Sequence, residues 1–456
     1  VIRITLIIVC LCGLRICCYP TPSQDEPVVL DIDKQQYIDI GIPDIISLVA
    51  RQNLNVRIAR SREEQAQGAY WNSWSGLLPK TGLQISREDF NGGEVILGAE
   101  PIDLDRVTYR PTASISYNIP LGGGSIFQML AGRKGYYSKQ FEVDFALQEN
   151  LSEALVIYFE WLRDRALIEA SEQAIDETAE QKRVIEKRIK GGLSTKLELL
   201  QVEGQHLQNQ NLKLQALNKS KTSATRLALF LDLDRLEIFP QDKEVEYLLF
   251  WDRDELELSS LITTAKASRA DLKALEESIK QAKHLSHQVM SNLLPSITLS
   301  AYERGIGDDL GNLERTSQNQ IAINWDPIRS LGPETIGSIK DYRARLNESI
   351  LQKQLQINQI KEQIAEEFYN LKQHMQQIEV EKAKLVATEK AYELALLRSR
   401  SGFGINLDTL VSQTALYQAR ATYKDSITQC NISQVRLLYL TGQLTPQKVI
   451  NTLTLQ

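Results

Sequence analysis

Ser75-Gly76-Leu77-Leu78-Pro79-Lys80-Thr81-Gly82-Leu83 returns 216 residues later as Ser291-Asn292-Leu293-Leu294-Pro295-Ser296-Ile297-Thr298-Leu299. The same offset pairs Gln65 with Gln281 and Ala66 with Ala282. Further along, an offset of 210 pairs Ile168 with Ile378, Thr178 with Thr388, Arg188 with Arg398, Gly192 with Gly402, Leu200 with Leu410, and Arg226-Leu227 with Arg436-Leu437. Two consistent registers spanning nearly the whole chain identify a tandem duplication. The second copy is shorter by a net six residues, a difference expected in a loop.

Each copy follows one plan. A helix near 44–76, or 260–292, ends at the Leu-Leu-Pro, because proline disfavours helix in the residue before it. Two short strands come next. A long helical stretch (125–190, then 334–400) is broken by Gly191-Gly192 or by Ser401-Gly402-Phe403-Gly404. A last helix covers 195–231 or 406–441. At 1.5 Å per residue the long helix spans roughly 100 Å, and the two shorter helices stacked end to end nearly match it. The glycine breaks are then hairpin tips, and the strand pairs sit at the other end of a rod.

The helices read as coiled coil. Leu193, Leu197, Leu200, Gly204, Leu207, Asn211 and Leu214 follow 4-3 spacing, and ordinary packing of that stripe is the expectation. Leu407, Leu410, Thr414, Tyr417 and Ala421 repeat it with smaller, more polar members. The Gln- and Asn-rich remainder suggests a solvated outer face, a wet inner face, or both.

The strands alternate. Leu83 and Ile85 stand against Gln84 and Ser86; Ile115 and Tyr117 against Ser114 and Ser116; Ile297 and Leu299 against Thr298 and Ser300; Ile323 and Trp325 against Ala322 and Asn324. Such alternation suits lipid-facing strands as well as a soluble sandwich. Tyr109, Tyr117, Tyr302 and Trp325 are candidate interface aromatics. If the strands span a membrane, four cannot close a barrel, and an open edge in lipid costs several kcal/mol per unpaired group. A barrel shared by two chains would be filled by side chains, whereas twelve strands from three chains leave a lumen. Segments 87–108 and 303–318 are expected as loops at its mouth.

The remaining features set limits. A net charge of −6 argues against a nucleic-acid partner. Arg3, the apolar run Ile4–Leu14 and the breaker Tyr19–Ser23 read as a signal peptide over about 1–20, with a short membrane anchor as the alternative. Four of five cysteines (Cys10, Cys12, Cys17, Cys18) fall in that stretch, leaving Cys430 and no internal disulfide; Cys17 or Cys18 as a lipidation site stays open. Residues 21–43 form an N-terminal extension, 44–231 the first repeat, 232–258 a linker, 259–442 the second repeat and 443–456 a tail. His284 and His287 sit one helical turn apart without a third metal ligand, so an ordinary helix surface is expected. Gly122-Gly123-Gly124 lacks the Lys-Ser/Thr of a phosphate loop, and no nucleophile motif is present, so neither catalysis nor a cofactor is expected.

The tandem copies, the Leu-Leu-Pro before each first strand, Gly-x-Ser-Thr-x-Leu-Glu-Leu-Leu at 192–200, Gly-Phe-Gly-Ile-Asn-Leu-Asp-Thr-Leu at 402–410 and Leu-Tyr-Leu-Thr-Gly at 438–442 together resemble the TolC family of outer-membrane efflux proteins. The resemblance runs from about residue 40 to 444. It implies a mainly α fold with a small β part: a duplicated long-helix coiled-coil barrel forming a periplasmic tunnel, joined to a four-strand contribution to a shared transmembrane β-barrel. It further implies a homotrimer in outer-membrane lipid that exports small molecules or proteins with a periplasmic adaptor and an inner-membrane pump. A periplasmic coiled-coil adaptor or structural rod is the alternative. By the same resemblance Asp408 falls at the periplasmic aperture, and the adaptor-docking tips are Gly191, Gly192, Leu193 and Ser194 with Gly402, Phe403, Gly404 and Ile405. The tyrosine and arginine links of the family's best-known member fall here on Ser399 and Gly404, and its second acidic residue on Val411. The segment 232–258, with Phe239-Pro240 and Phe250-Trp251, resembles the belt between the copies.

Overall fold

The computed structural model describes residues 38–456 apart from 91–93, 98–99, 104–105, 243–244, 252–255, 402–405 and 455–456. The leader at 1–20, most of the extension at 21–43 and the second tip, Gly402, Phe403, Gly404 and Ile405, therefore lie outside the described residues.

The first copy opens with β1 (Ile38–Ile40), α1 (Ile42–Arg51) and α2 (Leu54–Ser73). Strands β2 (Lys80–Phe90), β3 (Glu94–Leu97), β4 (Glu100–Asp103) and β5 (Arg106–Pro120) follow, then the long helix α3 (Gly124–Lys190) and its return α4 (Lys196–Phe230). After β6 (Ile238–Pro240), the second copy consists of α5 (Leu258–Ser268), α6 (Ala270–Met290), β7 (Ser296–Asp309), β8 (Asn312–Asn324), the short α7 (Pro327–Ser330), the long α8 (Pro333–Arg400) and α9 (Asn406–Leu440). Helix α10 (Pro446–Thr454) lies in the tail.

Each expected opening helix is in fact two. The breaks fall at Asn53 and Arg269, equivalent positions at the 216 offset. Asn53 caps α2 by accepting from the N–H groups of Asn55 and Val56, and its amide donates to the Phe230 carbonyl at 2.9 Å. Buried Arg269 donates to the Leu440 carbonyl at 2.9 Å while its fork holds Asp271 at 2.9 and 2.8 Å. Phe230 and Leu440 end the last helix of their copies and correspond at the 210 offset. The same tie is thus made twice with different chemistry. A polar side chain turned back onto backbone competes with the helix at that point.

The strands are longer than expected and absorb much of the segments read as loops. β7 and β8 run through 303–318 and leave only Leu310 and Gly311 between the turn pairs, so 303–318 is a hairpin and not a loop. In 87–108 the chain adds the separate β3–β4 hairpin. The six-residue difference is a net of two changes. Pro120 ends β5 and Asn324 ends β8, an offset of 204, whereas α7 inserted after β8 restores the register before α8.

Strands β2, β5, β7 and β8 make one antiparallel sheet in that order, so β5–β7 joins the two copies and β2 and β8 are its open edges. Next to the sheet, α2 and α6 pack on α3, and α6 also packs on α8; next to the tips, α4 and α9 pack on α3, and α9 on α8. The wall therefore has α2 and α4 along one side and α8 along the other.

The main core lies at mid-length. On α3 the run Leu151–Leu162 is buried almost all round, which marks a helix enclosed by other elements. Leu227, Leu231, Ile427, Val435, Leu438 and the residues of α1 surround it. Mid-α8, through Ile360, Ile364, Phe368 and Leu371, closes a second cluster with α5 and α6. Ile238, Val245 and Leu248 of the segment between the copies pack against this zone. β6 pairs in parallel with β1, and the Tyr158 hydroxyl donates to Asp242 at 2.6 Å. On α9, Asn431 accepts from the Leu248 N–H and donates to the Glu246 carbonyl, and Gln434 does the same for Phe250 and Leu248, at 2.6–3.0 Å. Both amides are fully buried. Part of the Gln/Asn content, expected on wet faces, instead serves as a surrogate strand edge for the belt.

Candidate functional site

The tip of the first copy is built by backbone rules. Gly192 takes φ +71°, a left-handed conformation that side-chain-bearing residues adopt at a cost. The Gly192 N–H donates to the Ile189 carbonyl at 3.0 Å and the Leu193 N–H to that of Arg188 at 2.8 Å, the paired bonds that terminate a helix on glycine. Thr195 and Glu198 cap α4 reciprocally, and the Ser194 hydroxyl also donates to Glu198. Gly191, Gly192, Leu193 and Ser194 thus form a rigid turn that presents an exposed Leu193.

Asp408 lies in the first turn of α9, where a carboxylate is favoured by the helix dipole. It is exposed, as are Leu407 and Val411, while Thr409, Leu410 and Gln413 turn into the wall.

Contacts between the two copies near the tips involve, besides Ser399, residues that the sequence did not single out as links. Arg188 donates to the Ser399 carbonyl at 2.8 Å, and Gln181 to the Tyr392 hydroxyl at 3.3 Å. Gln413 donates to the Ala174 carbonyl and to Glu177, both at 3.2 Å, and Arg420 donates to Glu177 at 3.3 Å. A cavity of about 350 Å³ opens among these side chains, lined by Gln181, Arg188, Tyr392, Ser399 and Asn406. Ser399 takes part in this contact through its backbone carbonyl. The only sequence signal for Arg188 was its repetition as Arg398, one basic residue among many.

At the opposite end the pairing register aligns the alternating residues. Tyr117 faces Leu299; Ile115 faces Thr81 and Ala301; Ile297 faces Ile119 and Ile323; Leu299 also faces Ile321. Leu83, Ile85, Ile115, Tyr117, Ile297, Leu299 and Ile323 therefore share one face of the sheet, because directly paired residues point the same way. Trp325 lies one residue beyond β8. Leu83, at 90% exposure, and Ile323, at 73%, have almost no cover within the chain. Gln84, Ser86, Ser114, Ser116, Thr298 and Ser300 fall on the other face, and so does Tyr302, bonded to Gln318.

The other motifs have structural roles. His284 and His287 pack against Phe127, with ring centroids 6.4 and 5.2 Å away. Desolvation lowers the pKa of His284, with the neighbouring His287 adding to it. No cluster suited to a metal exists among the described residues. The triple glycine turns β5 into α3: Gly123 takes φ +71°, and a side chain on Gly122 would stand 2.7 Å from the backbone of Ser291. No described helix is long and apolar enough to cross a membrane.

Residues 45–231 match the model of the outer membrane efflux protein family. Among solved structures the fold resembles VceC, an outer membrane protein of Vibrio cholerae, at 18% identity and a TM-score of 0.72, covering 88% of this chain and 96% of that one. It also resembles the CmeC outer membrane channel of Campylobacter jejuni (17%, TM-score 0.74, 90% and 88% covered). The open-state MtrE outer membrane channel of Neisseria gonorrhoeae compares at 16%, with a TM-score of 0.72 and 89% and 90% covered. At these identities the likeness is one of fold. No curated protein matches the sequence.

Proposed function

We propose that three copies of this chain form a channel through the outer membrane, with most of their length in the periplasm, a reading supported by the match of residues 45–231 to the outer membrane efflux protein family model. Its cargo is small molecules or proteins handed on by an inner-membrane pump, and a periplasmic adaptor docks at the hairpin tips.

The observation that carries this reading is the four-stranded sheet, apolar on one face and open along β2 and β8. Edge N–H and C=O groups in lipid must be paired, and pairing β8 of one copy with β2 of the next closes a barrel with no edge left. Three copies give twelve strands and a lumen, whereas two give a barrel filled by its own side chains. The apolar face then meets lipid and the Ser/Thr/Gln face lines the lumen, the sidedness of membrane barrels. Below the barrel, three walls of helices extend roughly 100 Å.

Asp408, exposed beside the tip, contributes one carboxylate per chain to a ring of three at the periplasmic mouth. Such a ring raises the local cation concentration and favours cation passage. Asp408→Asn is expected to lower cation selectivity in planar bilayers while leaving oligomeric state intact; unchanged selectivity rejects the aperture role. The channel itself is tested by purified protein in detergent and in bilayers. A stable trimer with single-channel conductance is expected, and a silent monomer would sink the reading.

A further inference from the structure

A cavity of about 460 Å³ lies at mid-length, where the two ties of the duplication come together. Phe230 and Leu440, whose carbonyls accept from Asn53 and Arg269, both line it. Its walls also include Glu149 and Glu153 of α3, Glu367 of α8, and Arg436 and Tyr439 of α9. That volume falls within the ~300–1,000 Å³ of small-molecule sites.

Glu367 is out of keeping with its surroundings. It is 8% exposed, and its Oε1 has no hydrogen-bond partner among the described residues. At the 210 offset its counterpart is Ile157, a buried residue of the main core. The helix plan shared by the two copies therefore does not itself require a carboxylate there. Burying one is costly unless an opposite charge or a donor meets it. The nearby charges do not settle the balance: Arg226 holds Glu153 at 2.8 Å, which leaves Glu149 and Glu367 against Arg436 alone. The cavity is thus net negative, beside the apolar surface of Phe230, Tyr439 and Leu440.

Helix geometry gives the side on which it opens. Glu149 and Glu153 lie one turn apart on α3, whereas Tyr158, about two and a half turns from Glu149, points the opposite way and bonds Asp242 of the belt. On α9, Gln434 bonds the Leu248 and Phe250 backbone of the belt, and Arg436 stands about 200° around the helix from it. The cavity therefore faces away from the belt. In the proposed channel three belts on the inside would fill the conduit, so the belt lies outside and the cavity opens on the path of the cargo.

We propose that this cavity binds a small organic cation, a protonated amine on an apolar body, whose ammonium donates to Glu367 and Glu149. The binding site stands on its own geometry; its place on the cargo path rests on the channel reading.

Fluorescence titration of the full chain in detergent tests it with two dyes: dansylcadaverine, a primary amine, and dansylamide, the same fluorophore without the amine. Saturable binding of the amine is expected, at least about tenfold tighter than that of dansylamide, the scale of a hydrogen bond to a charged group. Glu367→Gln keeps the shape and removes the charge. It is expected to lower amine affinity at least about tenfold, leave dansylamide unchanged and not lower the melting temperature. Glu149→Gln, on the exposed surface of α3, is expected to weaken the amine about threefold. Asp408→Asn, which removes the acidic group at the tip, is expected to leave amine binding unchanged. Equal affinities for the two dyes, wild-type amine binding by Glu367→Gln, or loss of binding in Asp408→Asn overturns the site. Conductance of the same preparation separates the site from the channel: a conducting sample that does not bind the amine loses only the site, and a silent sample that binds it keeps the site and loses the channel.

Discussion

Arg188 makes the most direct tie between the two hairpins, from one guanidinium to one carbonyl. A hydrogen bond from a charged donor contributes about 1.5–3 kcal/mol, and a half-buried one belongs at the lower end. Arg188→Ala is accordingly expected to loosen the tip by about 1.5 kcal/mol per chain, roughly a tenfold shift of a local open–closed equilibrium. Open probability in bilayers should rise, while Ser399→Ala, which keeps the accepting carbonyl, should leave it unchanged. Equal effects from the two variants would reject the bond as a latch. Arg269 poses a different case, being 4% exposed, ion-paired to Asp271 and lying 5.9 and 5.7 Å from the rings of Phe145 and Tyr439. Arg269→Ala removes the guanidinium from the Leu440 carbonyl and from the largely covered Asp271 carboxylate, which keeps donors in the Leu272 N–H and Gln356, an expected loss of about 3 kcal/mol. Thermal unfolding of the purified protein measures it, and a loss below about 1 kcal/mol would contradict the burial of the pair.

Elements were legible where one period governs them. The 67-residue α3 and 68-residue α8 begin and end within a residue or two of expectation, because Gly124, Gly191 and Ser401-Gly402 punctuate an otherwise unbroken helical pattern. The breaks at Asn53 and Arg269 were hidden, since each is set by a partner some 170 residues or more away, Phe230 or Leu440. The α4 stripe shows the converse limit: its period gave the helix and the apolar face, yet Leu193, Leu197, Leu200, Leu207 and Leu214 do not pack within the chain and are 55–72% exposed. Pairing of elements also depends on pH. Glu277 on α6 accepts from Lys134 on α3 at 2.7 Å and from Lys280 at 2.8 Å. Burial alone would raise its pKa, but the hydrogen bonds and charges of the two lysines outweigh burial and hold it below the ordinary 4.5. A depressed carboxylate pKa contributes stability above the unfolded-state value, and that contribution is lost as pH falls through the folded-state value. The stability gap between wild type and Glu277→Gln should therefore be full at pH 7 and shrink as pH falls below the ordinary glutamate value of about 4.3. A gap that stays constant in thermal unfolding across that range would remove the electrostatic account of the α3–α6 contact.

In the proposed trimer each substitution is present three times, which turns modest local costs into decisive ones. Leu299 and Ser300 are neighbours on β7 and point to opposite faces of the sheet. A lysine on the lipid face of a membrane barrel costs about 2–4 kcal/mol at the bilayer midplane, hence about 6–12 kcal/mol for three copies, whereas a lysine facing the lumen stays in water. Leu299→Lys should therefore be lost from the outer-membrane fraction and accumulate as unassembled chain. Ser300→Lys should insert at wild-type levels and shift ion selectivity toward anions, since three added positive charges would line the pore. One pair of adjacent residues thus tests sidedness, lumen and oligomer together. If both variants insert equally and conduct alike, the sheet does not present this face to lipid, and the exposed Leu83, Ile85 and Ile323 must be covered by another protein instead.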